Sequence, residues 1–155
     1  MTVTAWRIVK AKRASDAFSG EGPRRYGGRW NSPGTAMVYT AGTRSLAALE
    51  VLVHLNQAEL SLSYVLIGVT FHSASVESLD RKLLPAGWQS SPAPRYLQEI
   101  GDDWAARQSS AVLKVPSAII PDEACYLINP AHPYFPKIKF GKPEDFGFDP
   151  RLKNA

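Results

Sequence analysis

The chain has 155 residues, 45% of them hydrophobic, a formal net charge of +4, three histidines and one cysteine. This is the size of one ordinary domain with enough apolar residues for a core. No run approaches the roughly 18 apolar residues of a membrane span, the N-terminal stretch lacks the charged-then-apolar layout of a signal peptide, and Cys125 has neither a disulfide partner nor ligand spacing with His54, His72 or His132. The expectation is a soluble, cytoplasmic single domain over residues 1–155, with no metal site and no membrane contact.

The charge is uneven. Residues 1–31 carry seven basic and two acidic side chains, net +5, and the rest of the chain is net −1. Such a basic third faces a polyanion, lines a pocket for a small anionic ligand, or is simply a solvated surface.

Trp6 to Val9 reads as an opening strand on which alternation puts Arg7 on the face opposite Trp6 and Ile8, toward a cleft or toward water. Lys10 to Arg25 is polar and reads as a loop with or without a short helix. Gly22 and Gly27 have the separation of a phosphate-cradling loop, but Gly28-Arg29 follows where Lys and Ser or Thr are required, so that motif fails. Tyr26-Gly27-Gly28-Arg29-Trp30-Asn31 is the most informative stretch: two glycines permit a close backbone approach, and Arg29 between Gly28 and Trp30 presents a planar fork suited to pyrophosphate or carboxylate.

Met37 to Ala41, with Tyr39 at its centre, reads as a strand, and Thr43 to Asn56 as a helix begun by a Thr or Ser cap. Glu50 interrupts the apolar run of that helix. It lies with Thr43, Ala47, His54 and Gln57 on a stripe opposite Leu46, Leu49 and Val53, which fits either an exposed polar face or a carboxylate aimed at a partner. Tyr39 fits a core position as well as a stacking platform.

Tyr64 to Phe71 is a nearly continuous apolar run, the pattern of a middle strand buried on both faces. Ser73 to Ser91 reads as irregular surface structure anchored by Leu79, Leu83, Leu84 and Trp88. Pro94 opens a helix over Arg95 to Arg107, with Gly101 as a point where it breaks. Ala111 to Val115 is a strand ended by Pro116, with Ser117 at its exit, a turn residue on composition alone. Tyr126 to Ile128 is another strand, Ile138 to Phe140 closes the sheet, and residues 141–155 form a polar tail. Strands with few, irregularly placed helices predict an α+β domain with a core over about 6–140, rather than a doubly wound one.

Trp6-Arg7-Ile8, Gly28-Arg29-Trp30-Asn31 with Gly34, Val38-Tyr39-Thr40-Ala41, Leu46-Ala47-Ala48-Leu49-Glu50, Val115-Pro116-Ser117 and Leu127-Ile128-Asn129-Pro130-Ala131-His132 together resemble the signature of the RES-domain family. The similarity spans about Trp6 to Phe140, and the arginine, glutamate and serine for which that family is named map onto Arg29, Glu50 and Ser117. Cys125 stands where asparagine is expected, and Tyr134-Phe135 is atypical.

The resemblance implies a compact domain like the ADP-ribosyltransferase toxins, with central β-sheets and flanking helices. It also implies a toxin of a type II toxin–antitoxin pair that degrades NAD at the nicotinamide–ribose bond, by phosphorolysis or hydrolysis. Arg29, Tyr39 and Glu50 are then the expected catalytic residues, and Arg7, Tyr26, Trp30, Asn31 and Ser117 the expected substrate-binding ones. NAD is a substrate rather than a cofactor, and inorganic phosphate is a candidate co-substrate. An Xre-like antitoxin is the expected partner, with nucleic acid met only through it. Two alternatives stand beside this reading: transfer of ADP-ribose to a macromolecule, and a nucleic-acid-binding or RNA-cleaving module using the basic third, which leaves Glu50 and Tyr39 without a task.

Overall fold

The structure, a computed structural model, describes residues 1–154. Its framework is one eight-stranded mixed sheet made of β1 (Thr2–Lys10), β2 (Val38–Ala41), β3 (Tyr64–His72), β4 (Val76–Ser78), β5 (Val112–Pro116), β6 (Ala124–Ile128), β7 (Lys139–Phe140) and β8 (Glu144–Phe146). The strand order is β4-β5-β6-β2-β1-β3-β7, with β8 also paired to β3. Three α-helices, α1 (Glu21–Tyr26), α2 (Arg44–Leu52) and α3 (Arg95–Arg107), accompany it. The class is α+β, as the sequence predicts: all strand pairs are antiparallel except β4 with β5.

The sheet is joined unevenly, and this positions the site. β1 pairs with β3 along its whole length, from Thr2 opposite His72 to Lys10 opposite Tyr64, and β2 pairs with β6 over four residues. Between β1 and β2 the register holds at one pair, Trp6 opposite Ala41. The two halves therefore part beside that pair, and α2 packs over the parting against both β1 and β2.

Alternation along β3 explains its unbroken apolar run. Tyr64 and Leu66 join the core on the α2 side, whereas Val65 and Ile67 pack on the other side against Ala17. Val69 and Phe71 meet Ala5, Val38 and Ile128. A strand buried on both faces has no place for alternating polar residues.

Helix α2 starts where Thr43 accepts a hydrogen bond from the Leu46 amide at 3.1 Å, a cap worth about 1 kcal/mol. It is shorter than the sequence predicts, and residues 53 and 54 continue as a turn. Helix α3 buries Leu97, Gly101 and Trp104 on one stripe, each large apolar member contributing roughly 1.5–3 kcal/mol. The predicted break at Gly101 is corrected: the helix runs through it, and glycine is there because a Cβ would lie 1.6 Å from the Trp30 carbonyl oxygen. The helix backbone thus presses directly on the loop carrying Arg29.

The predicted polar tail is also corrected. β8 lies within residues 141–155, and Phe146 and Phe148 behind it stack edge-on at 5.1 Å, with Phe148 equally close to Tyr64. Two aromatics spaced among charges escaped notice because they alternate with glycine and acids rather than forming a run. β4 escaped for a different reason: three residues are too short to show alternation.

Candidate active site

A cleft of about 900 Å³ opens where β1 and β2 part, and it brings together seven of the eight predicted site residues: Arg7, Tyr26, Arg29, Trp30, Tyr39, Glu50 and Ser117. Arg7 enters from β1. Its Nε donates to the Ala17 carbonyl at 2.6 Å and its Nη1 to the Tyr39 carbonyl at 3.0 Å, so the guanidinium spans the gap that the missing β1–β2 ladder leaves. No carboxylate forms an ion pair with it among the described residues. Burial pushes its pKa down to about 10, with the charge of Asp16 acting weakly the other way. Nη2 has no partner among the described residues, and Arg7 lines the cleft.

The loop after α1 is rigid for reasons of its own. Gly27 has φ +75°, a conformation that disfavours any side chain. At Gly28 an added Cβ would lie 2.6 Å from the Tyr39 hydroxyl. Arg29, projecting from this turn, donates through Nη1 to the carbonyls of Trp88 at 3.1 Å and Ser90 at 3.0 Å. Its Nε and Nη2 make no bond among the described residues. Trp30 is buried under α3, and Tyr26 at the rim is 82% exposed.

Asn31 is not where the sequence reading puts it. The side chain is wholly buried and does not line the cleft. Its Nδ2 donates to the carbonyls of Pro23 at 2.7 Å, Thr35 at 3.0 Å and Ser32 at 3.3 Å, and its Oδ1 accepts the Tyr39 hydroxyl. It holds the arginine loop from beneath. Tyr39 is likewise part framework: its ring lines the cleft, but its hydroxyl donates to Asn31 and accepts from the Trp30 amide at 3.1 Å. Burial pushes the phenol well above its ordinary range, so it stays protonated and is no base.

Glu50 settles the ambiguity of its helix. Ala47, Glu50 and His54, the stripe that fitted an exposed polar face, line the cleft instead. Glu50 Oε1 accepts from Ser117 Oγ at 2.8 Å and from Cys125 Sγ at 3.4 Å, whereas Oε2 accepts from no group among the described residues. Ser117 is constrained from its other side, because its Oγ accepts the amides of Ile119 at 3.0 Å and Ile120 at 3.1 Å. With those lone pairs engaged, its hydroxyl proton is left for the carboxylate.

His54, Gln89 and Gln98 also line the cleft and were not singled out from the sequence. His54 had a signal in its helical spacing from Glu50. Gln89 and Gln98 had none, since they reach the cleft from the irregular segment and from α3: Gln98 Nε2 donates to the Gly28 carbonyl at 3.0 Å and Gln89 Nε2 to the Ala118 carbonyl at 3.0 Å. The basic third is not one surface patch, for Lys10 pairs with Glu59, Arg13 with Asp16 and Arg24 with Glu21. No cluster of metal-ligating side chains occurs among the described residues, and no helix there is long and apolar enough to cross a membrane.

Comparison with known proteins agrees with this arrangement. A protein named Prs ADP-ribosylating toxin from Sphingobium sp. is 43% identical, covering 98% of each chain. Proteins named Toxin Res from Photorhabdus laumondii and Yersinia enterocolitica are 38% and 37% identical; the first alignment covers 97% of each chain, the second 96% of this chain and 98% of the relative. The fold matches a chain in the crystal structure of the M. tuberculosis MbcT–MbcA toxin–antitoxin complex with a TM-score of 0.79 at 22% identity, covering 99% of this chain and 88% of that one. The RES domain model matches residues 4–149, and the chain belongs to the RES domain family.

Proposed function

We propose that this protein is the toxin of a toxin–antitoxin pair and that it degrades NAD by breaking the nicotinamide–ribose bond. One observation carries the reading: a half-buried guanidinium, Arg7, with no ion-pair partner among the described residues, shares a cleft with a carboxylate, Glu50, one oxygen of which has no partner among those residues. A buried cation without a counter-charge favours an anionic ligand, and a pyrophosphate satisfies it.

Nicotinamide departs from a cationic ring as a neutral molecule, so it needs no general acid. The electron pair of the breaking bond leaves with nicotinamide, and the ribose becomes oxocarbenium-like. Glu50, oriented by Ser117, hydrogen-bonds a ribose hydroxyl and stabilises that developing positive charge. Arg7 and the free edge of Arg29 hold the pyrophosphate, Trp30 and the Tyr39 ring wall the pocket, and Tyr26 closes over it from the rim. Water or inorganic phosphate then takes the sugar. Purified protein mixed with NAD should release free nicotinamide, and omission or addition of phosphate distinguishes the two acceptors. Absence of nicotinamide under both conditions refutes the reading.

The name of the Sphingobium relative supports a second reading, in which the same cleft passes ADP-ribose to a macromolecule. Incubating cell lysate with tagged NAD separates the two, since only transfer leaves the tag on a macromolecule. The partner we propose is an Xre-like antitoxin, in keeping with the complex that the structural relative forms; co-expression of a small helix-turn-helix protein from an adjacent reading frame should relieve toxicity.

A further inference from the structure

Glu50 is held by one oxygen only, and the two donors that hold it come from neighbouring strands. Ser117 follows the last residue of β5, and Cys125 lies on β6, where it is the register partner of Val115 on β5 and of Ala41 on β2. Strand alternation sends Cys125 and Leu127 to the α2 side, while Tyr126 between them packs with Phe71 on the opposite face. The thiol thus sits in the floor of the cleft beneath the carboxylate, Sγ to Oε1 3.4 Å.

We propose that Cys125 is a positioning residue for Glu50: its S–H and the Ser117 hydroxyl together fix Oε1 and so leave Oε2 for the substrate. The assignment of that substrate rests on the NAD reading; the contact itself does not. An S–H donor is weak beside a hydroxyl, but a carboxylate fixed by a single bond can still swing about it, and a second donor from another strand removes that freedom. The state of the thiol agrees. Burial, then the charge of Glu50 and its hydrogen bond, push the Cys125 pKa far above the usual thiol range, so the group remains a protonated donor rather than a nucleophile. Glu50 Oε2 meanwhile has no partner among the described residues, and Glu50 lines the cleft.

Two measurements test this, one without NAD. Cys125 is the single cysteine of the chain, so the S–H stretching band in the infrared belongs to it alone. In the parent protein the band should be shifted in the direction of a thiol bonded to an anion, and in Glu50→Gln it should move back toward a neutral acceptor. An identical band in both removes the contact and the proposal with it, whether or not NAD is the substrate.

The second measurement is steady-state nicotinamide release. Cys125→Ala should lower kcat about five- to tenfold with KM within about twofold, the scale of losing one weak charge-assisted donor. Cys125→Ser, which restores a donor of similar size, should recover most of the rate. Equal losses in both variants, or none in Cys125→Ala, would overturn the positioning role. Should Cys125→Ala fail to fold, the infrared comparison still decides. Should the parent release no nicotinamide at all while the band shifts as expected, the NAD reading fails and the contact stands.

Discussion

The two arginines and the glutamate of the cleft are held in opposite ways. Arg7 and Arg29 are fixed by backbone carbonyls alone, those of Ala17, Tyr39, Trp88 and Ser90, and a carbonyl orients a guanidinium without neutralising it. Glu50 is fixed by side-chain donors, Ser117 and Cys125, on one of its oxygens. Its anchors come from the end of β5 and from β6, whereas Arg7 comes from β1, which lies beyond β2 in the sheet, and no ion pair joins Arg7 to Glu50 among the described residues. The cation and the anion are thus kept from pairing with each other. The difference teaches that the cleft is built with two unmet demands, an anion at one part and a positive charge at the other, and a substrate carrying both is the simplest solution.

The largest effect should come from the acid. Glu50→Gln retains the shape and removes the charge, and it should lower kcat for nicotinamide release by about 10²–10³, or about 3–4 kcal/mol, the scale of removing a preorganised electrostatic group, with the melting temperature little changed. A rate equal to the parent's would break the comparison at its acidic side.

Next is Asn31, which serves the cationic part without touching the cleft. Asn31→Leu leaves the half-buried carbonyls of Pro23 and Thr35 and the Tyr39 hydroxyl without this partner, at a cost of about 2–3 kcal/mol in stability. The urea midpoint should fall at unchanged slope. A drop in NAD affinity with no loss of stability would instead make Asn31 a ligand contact.

That residue marks the limit of what the sequence discloses. The elements of the sheet were legible because strand alternation and unbroken apolar runs are local patterns, and Arg29 was legible because glycines and tryptophan around an arginine are unusual. Glu50 was ambiguous, since helical spacing fixes which residues share a face but not what lies opposite; the parting of β1 from β2 supplies that answer. Asn31 was expected as a substrate-binding residue and Tyr39 as a catalytic one, because both lie in the motifs that resemble the RES-domain signature. Their mutual hydrogen bond, made across eight residues and closed beneath α3, is a tertiary fact with no local trace. The three-residue β4 was missed because it is too short to show alternation, and the Phe146–Phe148 cluster because its aromatics alternate with glycine and acids.

A moderate effect is expected at Arg7. Its charge is disfavoured in the folded chain, since burial brings the pKa down to about 10. At any pH below that value the folded and unfolded chains both carry the proton, so the cost is present in full; it is relieved only as pH rises from about 10 toward the ordinary arginine range. At neutral pH, therefore, a bound anion should relieve it: inorganic pyrophosphate should raise the melting temperature of the parent and not that of Arg7→Gln. Arg7→Lys, which cannot span both carbonyls with a fork, should weaken NAD binding by about thirtyfold, or about 2 kcal/mol, in calorimetric titration. An unchanged Kd would show that the uncompensated charge is met by something other than the substrate.

The smallest effect separates framework from chemistry at Tyr39, whose carbonyl accepts from Arg7. Tyr39→Phe removes a hydroxyl that binds Asn31 and the Trp30 amide but keeps the ring that faces the cleft. Stability should fall by about 1 kcal/mol, with the rate of nicotinamide release within a few-fold of the parent's. The phenol is pushed up by burial beyond the accessible range, so it does not ionise where the enzyme is assayed and the pH–rate profiles of parent and variant should share one shape. If the alkaline limb of the parent profile vanished in Tyr39→Phe, the hydroxyl would be moving a proton. The division into two passive anchors and one working carboxylate would then have to be redrawn with Tyr39 on the working side.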